Sequence, residues 1–195
     1  MRLFTLLITL AMLPASLLAQ EQSAPSQEEL KELLGTKIRS VQHMALNPTV
    51  IRATRRQNSE KVSLDEIKKR DNEWKSTKEL THFKRSLQEN DAGRFLKRVI
   101  GLNKSFNEAF VTDNKGANVA AFPATSDYWQ GDEEKWTASY NKGAGRVFLG
   151  PLEYDDSSKT YAVQISAPLY DRGATIGVLV VGVTLDYLKA KQALK

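Results

Sequence analysis

Between residues 28 and 100 apolar side chains recur at three- and four-residue steps; after Asn103 they tend to alternate with polar ones. The first period lines one stripe of a helix and the second lines one face of a strand. Leu30, Leu33, Leu34, Lys37, Ile38, Val41 and Ala45 form the first stripe. Ser26 is a cap for it, and Glu28 and Glu29 in its first turn set negative charge at the positive helix end. Asn47-Pro48 interrupts the stripe, because proline disfavours helical backbone at the residue before it. A second helical piece follows over 49–58. Ser63-Leu64-Asp65-Glu66 reads as a capping box that opens a helix through Ile67 and Trp74 to Leu87. Residues 89–93 break the pattern, and 95–100 form a short further helix.

Residues 106–112 and 117–122 read as two strands joined by the turn Asp113-Asn114-Lys115-Gly116, a hairpin signal. A loop over 127–132 leads to a helical turn at 133–140. Three further strands read at 145–149, 161–168 and 175–183, the last two joined by Leu169-Tyr170-Asp171-Arg172-Gly173. Residues 184–194 close the chain as a helix. This order predicts an α+β fold: a long N-terminal helix packed on one face of a five-stranded antiparallel sheet, with a small helical insert on the other face. The gap between insert and sheet is where a small ligand would go.

Ahead of this domain, Arg2 precedes an apolar run over residues 3–18, and Ala19 stands before a polar segment. That layout is a secretory signal peptide over residues 1–19. The run is short of the roughly 20 residues that cross a bilayer, and Pro14 lies inside it; a retained anchor is the competing reading. Residues 20–27 read as a flexible leader and 28–195 as a single domain. The chain has no cysteine, which excludes an acylated anchor and leaves stability to the core. Loss of Arg2 with the signal lowers the net charge from +5 to +4. The expected location is periplasmic, or secreted, after cleavage.

Charge is unevenly spread. Residues 50–100 carry fourteen Lys or Arg against eight acids, whereas 106–183 carry ten acids against six bases. The basic residues are interleaved with acids, as in a solvated helical layer; export argues against nucleic acid and leaves an anionic membrane surface or an acidic partner as a lesser reading. Enzyme chemistry finds no support. His43 and His82 lack partners at metal-ligand spacing, and there is no nucleophile elbow, cysteine nucleophile or P-loop. Neither a cofactor nor a metal is expected.

Candidate binding residues lie in the strand half. Tyr128 and Trp129, in the Asp- and Gly-rich loop, either cover a ligand or anchor the loop to the sheet. Trp136 and Tyr140, four apart on one helical face, either pin the insert or touch a ligand. Arg146 offers a planar fork to a carboxylate or phosphate, unless it is only a solvated strand-end residue. Gln164 and Ser166 share one face of a strand whose other face is apolar, and either solvent or a ligand accounts for them. Asp171 either bonds its own turn or contacts ligand. Two ligand chemistries stay open: an anion held by Arg146 under Tyr128 and Trp129, or a cationic amine among Asp127, Asp132 and Asp171 with aromatic faces supplying cation–π contact.

Three segments carry a resemblance. They are Phe110-Val111-Thr112-Asp113-Asn114-Lys115-Gly116-Ala117-Asn118-Val119-Ala120; Ser126-Asp127-Tyr128-Trp129-Gln130-Gly131-Asp132-Glu133; and Ser166-Ala167-Pro168-Leu169-Tyr170-Asp171 with Gly173 and the run 176–183. Together with the long helix before them, they resemble the extracytoplasmic Cache (PDC, PAS-like) sensor domains. The resemblance implies binding of a small metabolite, a carboxylate or an amine, and reporting of occupancy to a membrane sensor kinase or chemoreceptor. It implies no oligomeric state. The chain ends about ten residues after its last strand, which leaves no room for an output module, so a free soluble sensor domain is expected. Where the amino-acid-binding branch of that family carries an arginine before its aromatic pair and an aspartate in its last strand, this chain has Asp127 and Gly182 with Val183. A structural or partner-binding protein with a degenerate fold and no ligand is the alternative.

Overall fold

The computed structural model describes residues 27–155 and 160–185. The expected signal peptide, residues 20–26 of the expected leader, residues 156–159 and the helix expected beyond Leu185 lie outside the described residues. Five helices come first: α1 (Gln27–Ala45), α2 (Pro48–Ser59), α3 (Leu64–Lys75), α4 (His82–Glu89) and α5 (Asp91–Leu102). Strands β1 (Phe106–Thr112) and β2 (Asn118–Phe122) precede the insert helix α6 (Glu134–Tyr140), and β3 (Phe148–Asp155), β4 (Thr160–Asp171) and β5 (Ala174–Thr184) complete the sheet. The strand order is β2-β1-β5-β4-β3, antiparallel at every junction. No helix among the described residues is long and apolar enough to cross a membrane.

The sheet's inner face and helices α1, α2 and α5 enclose the main core. Leu34, Val41 and Ala45 from α1 meet Val163, Ile165 and Ala167 of β4 and Leu179, Val181 and Val183 of β5. Each such side chain taken fully from water stabilises the fold by about 1.5–3 kcal/mol for the larger ones. The far end of α2 is stitched to the sheet by polar contacts. Asn58 Nδ2 donates to the Ile176 carbonyl (2.8 Å) and Gln57 Nε2 donates to Asp113 Oδ2 (3.0 Å).

Three elements depart from the sequence reading. The break expected over 89–93 narrows to Asn90, whose side chain caps α5, so that helix spans Asp91–Leu102 rather than 95–100. The helix expected to run through to Leu87 stops at Lys75, and α4 starts anew at His82. Thr81 caps α4 by accepting from the Lys84 N–H, while Lys84 Nζ reaches back to the Thr77 carbonyl, so residues 76–81 fold into a compact connection. With the chain turned there, Trp74 and Phe83 meet edge to face at 5.7 Å. The third strand starts at Phe148 rather than 145. After α6 the backbone takes left-handed conformations at Asn141, Lys142, Gly143 and Gly145, and the Gly145 and Arg146 N–H groups bond back to Tyr140 and Ser139. The strand then extends to Asp155 across an irregular register at 149–152, with Pro151 tolerated because β3 is an edge strand.

Candidate functional site

The outer face of the sheet is divided. Towards one end, Phe110, Ala121, Val178 and Val180 are buried under Trp136 and Tyr140 of α6, whose rings stack at 4.8 Å. The Trp136 indole N–H donates to the Asp113 carbonyl (3.3 Å), and Lys135, paired with Glu133 at 3.0 Å, holds its ammonium over the Phe110 ring. Burial, and then the charge of Asp113, raises the Tyr140 phenol above its ordinary pKa.

Beyond this apolar patch the face turns polar. Gln164 and Ser166 alternate along β4 with the core residues Val163, Ile165 and Ala167, and Ser166 lies opposite Val180. Ser166 is fully buried, yet among the described residues its hydroxyl has no hydrogen-bond partner; Thr175 Oγ1 is likewise unsatisfied. Gln164 Nε2 donates to Glu108 Oε1 (2.7 Å) across β5. Gly182 lies between them in register, and a Cβ there would fall 2.7 Å from Glu108 Cγ and 2.3 Å from Asn107 Oδ1. Absence of a side chain on β5 therefore lets the Glu108 carboxylate cross to β4. A cavity of about 240 Å³ opens at this row, lined by Glu108 and Gln164 together with Glu153 and Tyr154 of β3.

The aromatic loop is held elsewhere, against α3 and α4. Asp71 sits on the buried stripe of α3 between Ile67 and Trp74 and is itself buried. Its Oδ1 accepts the backbone N–H groups of Tyr128 (2.9 Å) and Trp129 (3.0 Å), while Oδ2 pairs with Lys75 at 2.6 Å. The Tyr128 ring packs with Trp74 and Phe83. Burial pushes its phenol up to about 12, assisted by Asp113 and opposed by the Arg70 guanidinium. Trp129 donates its indole N–H to the Lys115 carbonyl (2.8 Å) and receives Lys68 over its ring. Asp127 accepts from Gln130 Nε2 and Ser126; burial, and then Glu133, raises its carboxyl above the usual range.

The remaining predicted residues are dispersed. Arg146 is exposed and its Nε donates to the Ala138 carbonyl (2.9 Å). Asp171, at the β4–β5 hairpin, faces Arg55 of α2 at 3.5 Å. The structure thus brings Tyr140, Gln164 and Ser166 to one sheet face, sets Asp127, Tyr128 and Trp129 at the α3 anchor, and leaves Arg146 against α6 and Asp171 against α2. Sequence reasoning missed Glu108, Glu153 and Asp71. Asp71 had a signal: an acid at a stripe position between two large apolar residues. Glu108 had none, because its role depends on Gly182, distant in sequence.

No protein-family profile and no curated protein sequence matches the chain. Solved structures do. The ligand-binding domain of the Pseudomonas aeruginosa PAO1 amino acid chemoreceptor PctC, in complex with GABA, gives a TM-score of 0.50 at 12% identity, over 84% of this chain and 58% of that one. The sensor domain of E. coli DcuS gives 0.49 at 15% identity, over 84% of this chain and 96% of that one. The sensory domain of the Campylobacter jejuni chemoreceptor Tlp3 with isoleucine bound gives 0.40 at 15% identity, over 85% and 66%. The likeness is one of fold alone: helices on one face of a five-stranded antiparallel sheet and an insert on the other, the PAS/Cache topology. The chain spans 58% of the length of the first of these.

Proposed function

We propose that this protein is an extracytoplasmic sensor domain that binds a small amine-bearing metabolite on the outer face of its sheet and reports occupancy to a membrane sensor kinase or chemoreceptor. One observation carries the reading: the polar row Glu108, Gln164 and Ser166 beside the α6 insert, with the Ser166 hydroxyl buried and unsatisfied. An unmet buried hydroxyl costs about 1–3 kcal/mol, a cost that a ligand donor or acceptor removes. Glu108 and Glu153 both line the adjoining cavity, which suits a cation better than a carboxylate. Tyr140, from the insert, contributes an aromatic wall to the same face. Binding to the folded state alone would raise its stability.

A second reading has its own support. Trp136 and Tyr140 already fill one end of that face against Phe110 and Val180, as expected of a partner-binding protein whose pocket has closed. Thermal melting of the parent, E108Q and R146A against millimolar amines, amino acids and carboxylates separates the cases. An amine should raise the parent's Tm, with the shift lost in E108Q and kept in R146A. A carboxylate whose shift disappears in R146A would replace the amine with an anion, and no shift from any compound would favour the partner-binding reading.

A further inference from the structure

The helical layer concentrates positive charge on two of its helices. Helix α2 has Arg52, Arg55 and Arg56 and no acid; α5 adds Arg94, Lys97 and Arg98 against Asp91 alone. The groove between these helices holds two hollows of about 570 and 460 Å³, which share Thr49, Arg52 and Asp91 along their walls. Arg55 and Arg56 line the first, Arg94 and Arg98 the second, and Arg52 both. Five arginines therefore converge on one groove.

Little among the described residues answers this charge. Asp91 pairs with Arg94, and Asp171 reaches Arg55 from the β4–β5 hairpin at 3.5 Å. Among the described residues Arg52 makes only a hydrogen bond to Thr49 Oγ1 (3.3 Å). Arg56 and Arg98 make no ion pair among the described residues, and both are exposed, so neither supports the core. The residue type is informative as well. Every cation lining the groove is an arginine, whereas α3 and α4 mix arginine with Lys68, Lys69, Lys75 and Lys84. A solvated surface is served equally by either residue, but a guanidinium fork matches two oxygens of one phosphate, and an ammonium does not. Holding five like charges together also costs stability through self-repulsion, a cost that a bound polyanion offsets.

We propose that the α2–α5 groove binds a phosphate-bearing ligand, with Arg56 and Arg98 as its principal donors and Arg52 between the two hollows. The phosphate belongs either to a free, soluble phosphate compound or to a phospholipid headgroup. The full chain is titrated with pyrophosphate by calorimetry, and separately with vesicles of phosphatidylglycerol or of phosphatidylcholine. Binding of pyrophosphate identifies a free ligand; binding only to the phosphatidylglycerol vesicles identifies the headgroup. In either case R56Q/R98Q should weaken binding at least tenfold, and R56K/R98K, which keeps the charge and loses the fork, should weaken it severalfold. K69Q/R85Q removes two exposed charges outside the groove and should change binding less than twofold. Binding to neither probe overturns the proposal. So does an equal loss in K69Q/R85Q, or full affinity in R56K/R98K, since either makes the effect one of overall charge.

Discussion

Asp71 shows how one residue decides where a loop goes. It occupies a stripe position on α3 that packing alone would give to an apolar side chain, and it places its carboxylate against two consecutive backbone N–H groups, those of Tyr128 and Trp129. Lys75, one turn on, balances the charge from the exposed side. Removing the carboxylate leaves two N–H groups without an acceptor, and hydrogen bonds to a charged group contribute about 1.5–3 kcal/mol. D71A should lose roughly 2–3 kcal/mol in urea unfolding, with faster amide exchange over 126–131 than elsewhere. If that loop's exchange stays at the parent rate, Asp71 is not its anchor. The same logic accounts for Asp113, whose buried carboxylate accepts from the Lys115 and Ala117 N–H groups and from Gln57; burial raises its pKa, and these donors oppose the shift.

Among the elements, the α4–α5 corner is the tightest junction. Asn90 alone separates the two helices: it ends α4 and caps α5, its side chain accepting from the Gly93 N–H (2.8 Å) and donating to the Val119 carbonyl (2.9 Å). At Gly93 a Cβ would lie 2.3 Å from the Leu87 carbonyl oxygen and 2.5 Å from that of Gln88. These are backbone atoms and cannot swing aside. Alanine gains about 1 kcal/mol over glycine in helix preference, but overpacking of this kind costs on the order of 3 kcal/mol or more. G93A should therefore be destabilised by about 2 kcal/mol net, read as a lower urea midpoint with an unchanged slope. A stabilised G93A would mean that the corner opens without resistance. The seven-residue insert is fixed through Trp136 and Ser139, whose polar atoms bond the β1–β2 turn and the Arg146 carbonyl.

Over the whole molecule, charge separates into layers. Basic residues gather on the helices and acids on the strand half, so the α2–α5 groove and the Glu108–Glu153 cavity have opposite signs. Screening then acts mainly on the helical layer. R52Q/R56Q/R98Q should be more stable than the parent by up to about 1 kcal/mol at about 0.01 M salt, where the screening length is roughly 30 Å, and by almost nothing at 1 M, where it is about 3 Å. Urea unfolding at both salt concentrations checks this; an unchanged gap between them would show that the arginines do not repel one another.

Most of the order of elements was legible in the sequence, because helical and strand periods are local properties and the main change falls near Asn103. So was the inward alternation of Val163, Ile165 and Ala167, with Gln164 and Ser166 turned outward. The break at 76–81 left only a weak trace, Leu80 being the one apolar residue between Trp74 and Phe83, and the capping of Thr81 with the packing of Trp74 on Phe83 fixes where the chain turns. Which polar residues meet was decided by tertiary structure alone. Glu108 reaches Gln164 because Gly182 lies between them in register, and five arginines share a groove because α2 and α5, more than thirty residues apart, pack side by side. Local pattern carries the direction in which a side chain points, but its partner depends on distant strands and helices being brought together.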